Sequence, residues 1–184
     1  MAILKIARMG HPVLKQRAAE VEDPSAPVIR AVVRNMIETL EDAEGAGLAA
    51  PQVHIPLRVV IFQIAPARAS EEGDEDEGVA LSVLVNPTVE PLSDEMASGI
   101  EACLSIPGMA GLVPRHTHIR YGFQTLEGNT VEREARDFHA RVVQHECDHL
   151  DGILYPMRIP DLTRFGFVEE FSRAERQRTE QADA

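Results

Sequence analysis

The stretch Gln144-His145-Glu146-Cys147-Asp148-His149-Leu150 contains two histidines four positions apart, with a glutamate directly after the first. On an α-helix, residues i and i+4 project from the same face, so both imidazoles can bind one metal ion. Glu146 follows about 100° around the helix and can reach a water held by that ion. A divalent cation lowers the pKa of its bound water towards about 7, and a neighbouring carboxylate can take the proton. The stretch predicts a helix at the centre of a hydrolytic metal site, with a solvated helix as the alternative.

A third protein ligand is expected, because catalytic tetrahedral sites usually have three and leave the fourth position for water. Glu169, twenty positions after His149, lies where some metalloproteases supply a carboxylate. Cys103 is the other candidate, since a thiolate is a strong ligand for zinc or ferrous iron. A free cysteine is more commonly a small buried hydrophobic residue. Chemistry alone leaves Cys103 and Glu169 as equal alternatives.

Two further motifs precede this stretch. They are Gly45-Ala46-Gly47-Leu48-Ala49-Ala50-Pro51-Gln52 and Glu101-Ala102-Cys103-Leu104-Ser105. The three motifs, in this order and spacing, resemble the signatures of the peptide deformylases, and the likeness extends from about residue 3 to about residue 168. The resemblance implies a metal-dependent hydrolase that removes the formyl group from the N-terminal formylmethionine of nascent polypeptides and releases formate.

The same resemblance implies a role for each matching residue. The metal ligands would be Cys103, His145 and His149, which resolves the choice of third ligand, and Glu146 would be the general base. The Gln52 side chain and the Leu104 backbone N–H would stabilise the oxyanion, where fixed donors contribute about 3 kcal/mol each. The segments that lie along the substrate would be Gly45, Ala46 and Gly47, together with Ala102. One divalent ion per chain is expected, natively Fe²⁺, with Zn²⁺, Ni²⁺ or Co²⁺ in purified protein.

Three positions depart from the family pattern. Ala46, Ala102 and Ala110 replace a usual valine or isoleucine, a glycine and an arginine. None of them is a predicted ligand or the base, but all are expected near the substrate. They support one alternative, a deformylase-like metal-binding or regulatory protein with altered or lost peptide specificity. An HExxH metalloprotease that uses Glu169 is the other alternative.

Composition indicates one soluble globular domain that spans residues 1–184. The chain is 44% hydrophobic and 26% charged, and no apolar run approaches the roughly 20 residues of a membrane-spanning helix. Residues 1–9 do not resemble a signal peptide, so we expect a cytoplasmic protein that does not bind membranes. The net charge of −12 argues against direct DNA binding. The acidic run at about 71–78 predicts a solvated, flexible loop.

Apolar periodicity predicts an α+β fold in which antiparallel β-sheets pack around a central helix with the HExxH motif. A first helix is expected over 27–44, with a broad apolar face made of Val28, Val32, Met36 and Leu40 and, beside them, Ile29, Val33 and Ile37. The central helix should cover 138–150, capped by Asp137 and closed by Gly152. Asn86-Pro87 should end a strand. The predicted strands cover 57–64, 81–85, 99–106, 117–125 and 130–135.

The central helix also suggests how a substrate side chain is held. Phe138, Arg141 and Val142 are candidates to line a pocket for a methionine side chain. The alternative for Phe138 and Val142 is a core position, and the expected orientation of Arg141 is towards solvent. Cys147 should point away from the metal and pack in the core. The C-terminal segment, about 166–184, is predicted to be a polar helix and tail. By the resemblance, its arginines could make a transient ribosome contact.

Overall fold

The computed structural model describes residues 2–66 and 78–173. In this part of the chain there are two long helices, α1 (Pro27–Asp42) and α2 (Asp137–Leu150). The strands are β1 (Gly47–Ala49), β2 (Val59–Ile64), β3 (Val79–Pro91), β4 (Met96–Cys103), β5 (Ile106–His116), β6 (His118–Gln124), β7 (Thr130–Arg136) and β8 (Phe165–Phe167).

The strands form two antiparallel sheets. The larger has the order β1-β2-β3-β6-β7 and the smaller the order β4-β5-β8. Helix α2 packs against strands of both sheets, whereas α1 covers the other face of the larger sheet at β1 and β2. The α+β class with a central helix is confirmed.

Helix α2 is buried on almost every side, although more than half of its residues are polar or charged. A helix enclosed in this way must satisfy its polar groups inside the protein. Its start differs from the prediction, because Asp137 is the first helical residue and no side chain among the described residues caps the helix. Its end agrees: Gly152 has φ +73°, and a Cβ there would lie 2.8 Å from the backbone carbon of Lys15.

The apolar face of α1 is confirmed, but it is narrower than the predicted one. Ile29, Val33, Met36 and Leu40 are buried, at the i, i+4, i+7 spacing of one helix face. Val28, which we placed on that face, is 64% exposed. The first helix ends at Asp42 rather than at residue 44, and the Gly45 N–H donates to the Leu40 carbonyl over 3.2 Å.

Strand β3 continues past Asn86-Pro87, so the predicted end of the strand is wrong. The register with β6 shifts between Val85 and Thr88, and Asn86 has φ +50°. The Asn86 side chain bonds to the backbone of Val21. Its Oδ1 accepts from the Val21 N–H at 2.8 Å, and its Nδ2 donates to the Val21 carbonyl at 2.9 Å. The dipeptide therefore makes a β-bulge inside one long strand.

Strands β1, β5 and β8 were not predicted. β5 contains Pro107, Gly108, Gly111 and Pro114, residues that disfavour a strand in isolation. Pairing with β4 stabilises the extended conformation that these residues disfavour. β8 pairs with β5 through Met109–Phe167, Ala110–Gly166 and Gly111–Phe165. A Cβ on Gly111 would overlap the Ile159 Cδ1, so any larger residue at position 111 would force the Ile159 side chain to move.

The C-terminal prediction holds only in part. β8 occupies the start of the segment predicted as helix, and residues 168–173 are helical. The rest of the predicted tail, and the acidic segment except Gly78, lie outside the described residues. No helix within the described ranges has the length and apolar character needed to cross a membrane.

Candidate functional site

The three predicted metal ligands meet where the two sheets approach α2. His145 and His149 project from one face of the helix, and Cys103 is the last residue of β4. One donor atom from each residue lies within 4.8 Å of the donors of the other two. The Cys103 Sγ lies 3.3 Å from the His149 Nε2. The structure therefore groups a thiol and two imidazoles from distant parts of the chain.

This donor set fits a divalent cation. Sulfur and imidazole ligands suit zinc and ferrous iron. Burial would lower the pKa of His145, but Cys103 and Glu101 outweigh it and raise that pKa well above the ordinary value. The site thus favours a positive charge at this point. Burial, with His145 nearby, lowers the pKa of His149 well below its ordinary value, so His149 is a neutral imidazole as a ligand must be.

A buried ionic network holds His145 in place. Its Nδ1 donates to the Glu101 carboxylate at 2.8 Å, which directs Nε2 towards the cluster. Arg115 binds both Glu101 oxygens, at 2.8 and 2.9 Å, and also binds Asp148. Burial would raise the pKa of Glu101, but the hydrogen bonds from Arg115 and His145 lower it to about 2. Glu101 is therefore a permanent anion behind His145.

Replacing Glu101 by Gln is expected to weaken metal binding about 10- to 100-fold, the usual effect of removing a partner of a metal-ligating histidine. The amide cannot supply the negative charge, and Arg115 and Arg141 each lose a buried ion pair with residue 101. Metal affinity is measured by competition with a chelator. Glu132→Gln, at a strand carboxylate that is 69% exposed, is the matched control. An unchanged affinity in Glu101→Gln would show that the network does not orient His145.

Glu146 lies beside the Cys103–His145–His149 group and faces Gly47, in the motif of residues 45–52. Its Oε2 is buried and has no hydrogen-bond partner among the described residues. Burial raises the pKa of Glu146 to about 7, close to the range in which a carboxylate can both accept and return a proton. A Cβ on Gly47 would lie 2.7 Å from the Glu146 carboxyl carbon. Glycine at position 47 therefore makes room for this carboxylate.

The Gln52 amide has a defined orientation. Its Oε1 accepts from the Ala49 N–H at 2.8 Å, so its Nε2 faces the site. That nitrogen lies 3.4 Å from the Cys103 Sγ and 3.2 Å from the Ser105 Oγ. Leu104 follows Cys103 in the tight turn between β4 and β5. Both predicted oxyanion donors thus lie next to the metal cluster.

A pocket of about 440 Å³ opens onto this cluster, and we call it the metal-site pocket. Cys103, His145 and Glu146 are at its base, and Gln52 and Leu104 line it as well. His149 is 1% exposed and lies behind them. All residues predicted to contact substrate line the same pocket: Gly45, Ala46, Gly47, Ala102, Phe138, Arg141 and Val142.

Arg141 does not point into solvent, so the expected orientation is wrong. It is 9% exposed and donates to Glu101 at 2.9 Å and to the Val113 carbonyl at 2.8 Å. A Cβ on Gly99 would lie 2.8 Å from the guanidinium carbon, so glycine leaves space for the Arg141 side chain. Cys147 is buried in the core against the larger sheet, as predicted, and both cysteines are free.

Sequence reasoning missed several residues of the site. Glu101 could have been predicted, because residues i and i+2 of a strand point to the same face and Glu101 is two residues before Cys103. Arg115 and Val168 had no local signal, since pairing of β5 with β4 and β8 brings them in. Glu169 is exposed and lies outside the Cys103–His145–His149 group.

A Cys-His-His donor set with a buried carboxylate beside it, in a pocket between two antiparallel sheets, defines a metal-dependent hydrolase. The family model described as polypeptide deformylase matches residues 3–165. A peptide deformylase from Bordetella pertussis is 51% identical over 164 residues, 89% of this chain and 92% of that protein. One from Ralstonia nicotianae is 48% identical over 167 residues, 91% of this chain and 93% of that protein.

Solved structures agree. A Met-Ala-Ser-bound class I type b peptide deformylase from Acinetobacter baumannii superposes with a TM-score of 0.78 at 35% identity. The match covers 86% of this chain and 99% of that chain. Peptide deformylase from Ehrlichia chaffeensis has a TM-score of 0.80 at 27% identity and covers 99% of both chains.

This chain belongs to the polypeptide deformylase family. It is a metal-dependent amide hydrolase that removes the formyl group from N-terminal methionine, as the three sequence motifs predicted. Neither the metalloprotease nor the binding-module alternative is favoured.

Proposed function

We propose that this chain deformylates N-formylmethionyl peptides with Cys103, His145 and His149 as metal ligands and Glu146 as the general base. The single observation that supports the proposal is the grouping of Cys103, His145 and His149 beside a pocket that Cys103, His145 and Glu146 line. A divalent cation on the three ligands would acidify the attacking water and polarise the formyl group. Glu146 accepts the proton from the water through its unpartnered oxygen and returns it to the leaving amine.

In this proposal Gln52 and Leu104 stabilise the oxygen that gains negative charge as the formyl carbon becomes tetrahedral. The Gln52 Oε1 is occupied by the Ala49 N–H, so its Nε2 is pre-oriented as a donor. Leu104 contributes a backbone N–H from the turn after Cys103. Donors fixed before the reaction need no reorganisation when the charge develops, which is why they lower the barrier.

The methionine side chain would contact Phe138 and Val142, which line the apolar part of the pocket. The peptide backbone would run between residues 45–47 on one side and Ala102 on the other. The Met-Ala-Ser bound by the Acinetobacter relative is a deformylated peptide of this kind. We further propose that 1–184 is a single domain, and that the protein contacts the ribosome transiently while nascent chains emerge.

The native metal in the proposal is Fe²⁺. A thiolate and two imidazoles suit ferrous iron and zinc equally, so metal availability rather than the ligand set decides between them. Protein purified without oxygen is expected to contain about one iron per chain and to release formate from formyl-Met-Ala-Ser. Metal analysis and a formate assay on the same sample check this. Removal of the metal by a chelator should abolish turnover, and re-addition of Fe²⁺, Ni²⁺ or Co²⁺ should restore it. Metal-loaded protein without turnover would overturn the proposal.

A further inference from the structure

A second cavity, of about 810 Å³, lies beside the metal-site pocket and has no role in the reaction described above. We call it the N-terminal groove. Its walls are residues 3–8, His11 and His54, and the end of α1 at Asp42 and Ala43. Leu104 and Pro107 line both cavities, so one loop separates the groove from the metal-site pocket.

The chain also connects the two cavities along a second wall. Asp42 and Ala43 line the groove, and the residues that follow them, from Glu44 to Gly47, line the metal-site pocket. A peptide that leaves the pocket over Leu104 and Ala43 therefore enters the groove. Both cavities are of the size usual for ligand sites.

The N-terminal wall of the groove is attached directly to the catalytic segments. The Ala7 N–H donates to the Gln52 carbonyl at 2.7 Å, and the Met9 N–H donates to the Ser105 carbonyl at 2.8 Å. The Leu4 N–H donates to the Thr39 hydroxyl at 2.9 Å. These bonds hold the wall in a fixed position relative to the pocket, so the groove is a preformed surface.

The charge in the groove is opposite to that of the whole protein. Lys5 and Arg8 line it against one acidic residue, Asp42, and two histidines, His11 and His54, line it as well. The chain as a whole has 30 acidic and 18 basic residues, with a net charge of −12. The two histidine rings meet edge to face, with centroids 4.6 Å apart. A concave surface with a net positive charge attracts anionic ligands.

We propose that the N-terminal groove binds the residues of the formylated peptide that follow those in the metal-site pocket, and that it favours acidic side chains. The inference rests on the proposed function, because a polypeptide substrate continues beyond the pocket and needs a path along the surface. The groove adjoins the pocket on two walls, and its lysine and arginine complement a carboxylate. The groove would thus select among nascent chains by their downstream sequence.

The test uses formyl-Met-Ala-Ser extended by three aspartates, three serines or three lysines, with formate release measured at low salt. We expect kcat/KM to be about fivefold higher for the aspartate peptide than for the lysine peptide. This is the effect expected when one or two exposed ion pairs form between the peptide and the groove. The difference should lie in KM, since the reacting atoms are unchanged. It should vanish at about 1 M salt, where the Debye length is about 3 Å.

The matched variants separate the groove from overall charge. Lys5→Glu with Arg8→Glu reverses charge in the groove, and the preference should move to the lysine peptide. Lys15→Glu with Arg34→Glu makes the same change of charge at exposed residues that line neither cavity, and it should keep the aspartate preference. Unextended formyl-Met-Ala-Ser should be hydrolysed equally by both variants, which also shows that they are folded.

The outcomes distinguish the two proposals. If no formylated peptide is hydrolysed by the metal-loaded protein, the proposed function fails. If formyl-Met-Ala-Ser is hydrolysed but the three extended peptides have equal kcat/KM, the groove proposal is overturned. It is also overturned if the control pair of substitutions changes the preference as much as the groove pair. The wild-type peptide comparison decides even if a variant is unstable.

Discussion

Glu146→Gln is expected to lower kcat/KM for formyl-Met-Ala-Ser by about 10³-fold, within the range for loss of a general acid–base group. The amide has nearly the shape of the carboxylate, so the close packing against Gly47 is kept. It cannot accept the proton from water or return it to the amine. The measurement is formate release under conditions in which the metal content of each sample is known.

The metal content of Glu146→Gln should equal that of the wild type, because the proposed ligand atoms belong to Cys103, His145 and His149. Removing a buried charge should also leave thermal stability unchanged or raised, since burial opposes the ionised form of Glu146. Glu41→Gln, at an exposed carboxylate on α1, is the control and should keep full activity. Full activity in Glu146→Gln would assign the proton transfer to another group.

Cys103→Ser is expected to have the second large effect, loss of the metal and with it the activity. A hydroxyl is a far weaker ligand than a thiolate, so the affinity should fall by more than the roughly 100-fold that accompanies an outer-sphere change. Metal analysis after dialysis against a chelator measures the loss. The fold should persist, because β4 continues to pair with β5 along its length.

Two controls make the Cys103 result specific. Cys147→Ser removes the other thiol, which lies in the core against the larger sheet, and should retain the metal. Glu169→Ala tests the carboxylate considered as the alternative ligand and should also retain it, because Glu169 is exposed and outside the cluster. Metal loss in Glu169→Ala with retention in Cys103→Ser would contradict the ligand assignment.

The sequence predicted local structure well where the prediction depended on residues a few positions apart in the chain. The spacing of His145 and His149 placed both on one face of a helix, and α2 does present them to one metal cluster. Gly152 was correctly placed at the end of that helix because a left-handed residue follows many helices. Errors arose where neighbouring elements override propensity. Asn86-Pro87 became a bulge, since pairing of β3 with β2 and β6 extends on both sides of it.

The third ligand shows the limit of chemistry read from spacing. Cys103 is 46 residues from His149, and the two are joined only through the pairing of β4 with β5 and the packing of both on α2. Residue types alone left Cys103 and Glu169 equal, and the resemblance made the choice. The position of Cys103 is consistent with that choice, because β4 ends beside His145 and His149 of α2.

The sequence by itself determined the family, the helix with the metal motif and the residue types of the reaction, because each depends on a few residues at fixed local spacing. Tertiary structure alone decided that Arg115 and Arg141 hold Glu101 behind His145, and that Val168 reaches the metal-site pocket. These contacts join strands and helices far apart in the chain. Their geometry depends on strand register and on how the sheets pack against α2, which no local pattern specifies.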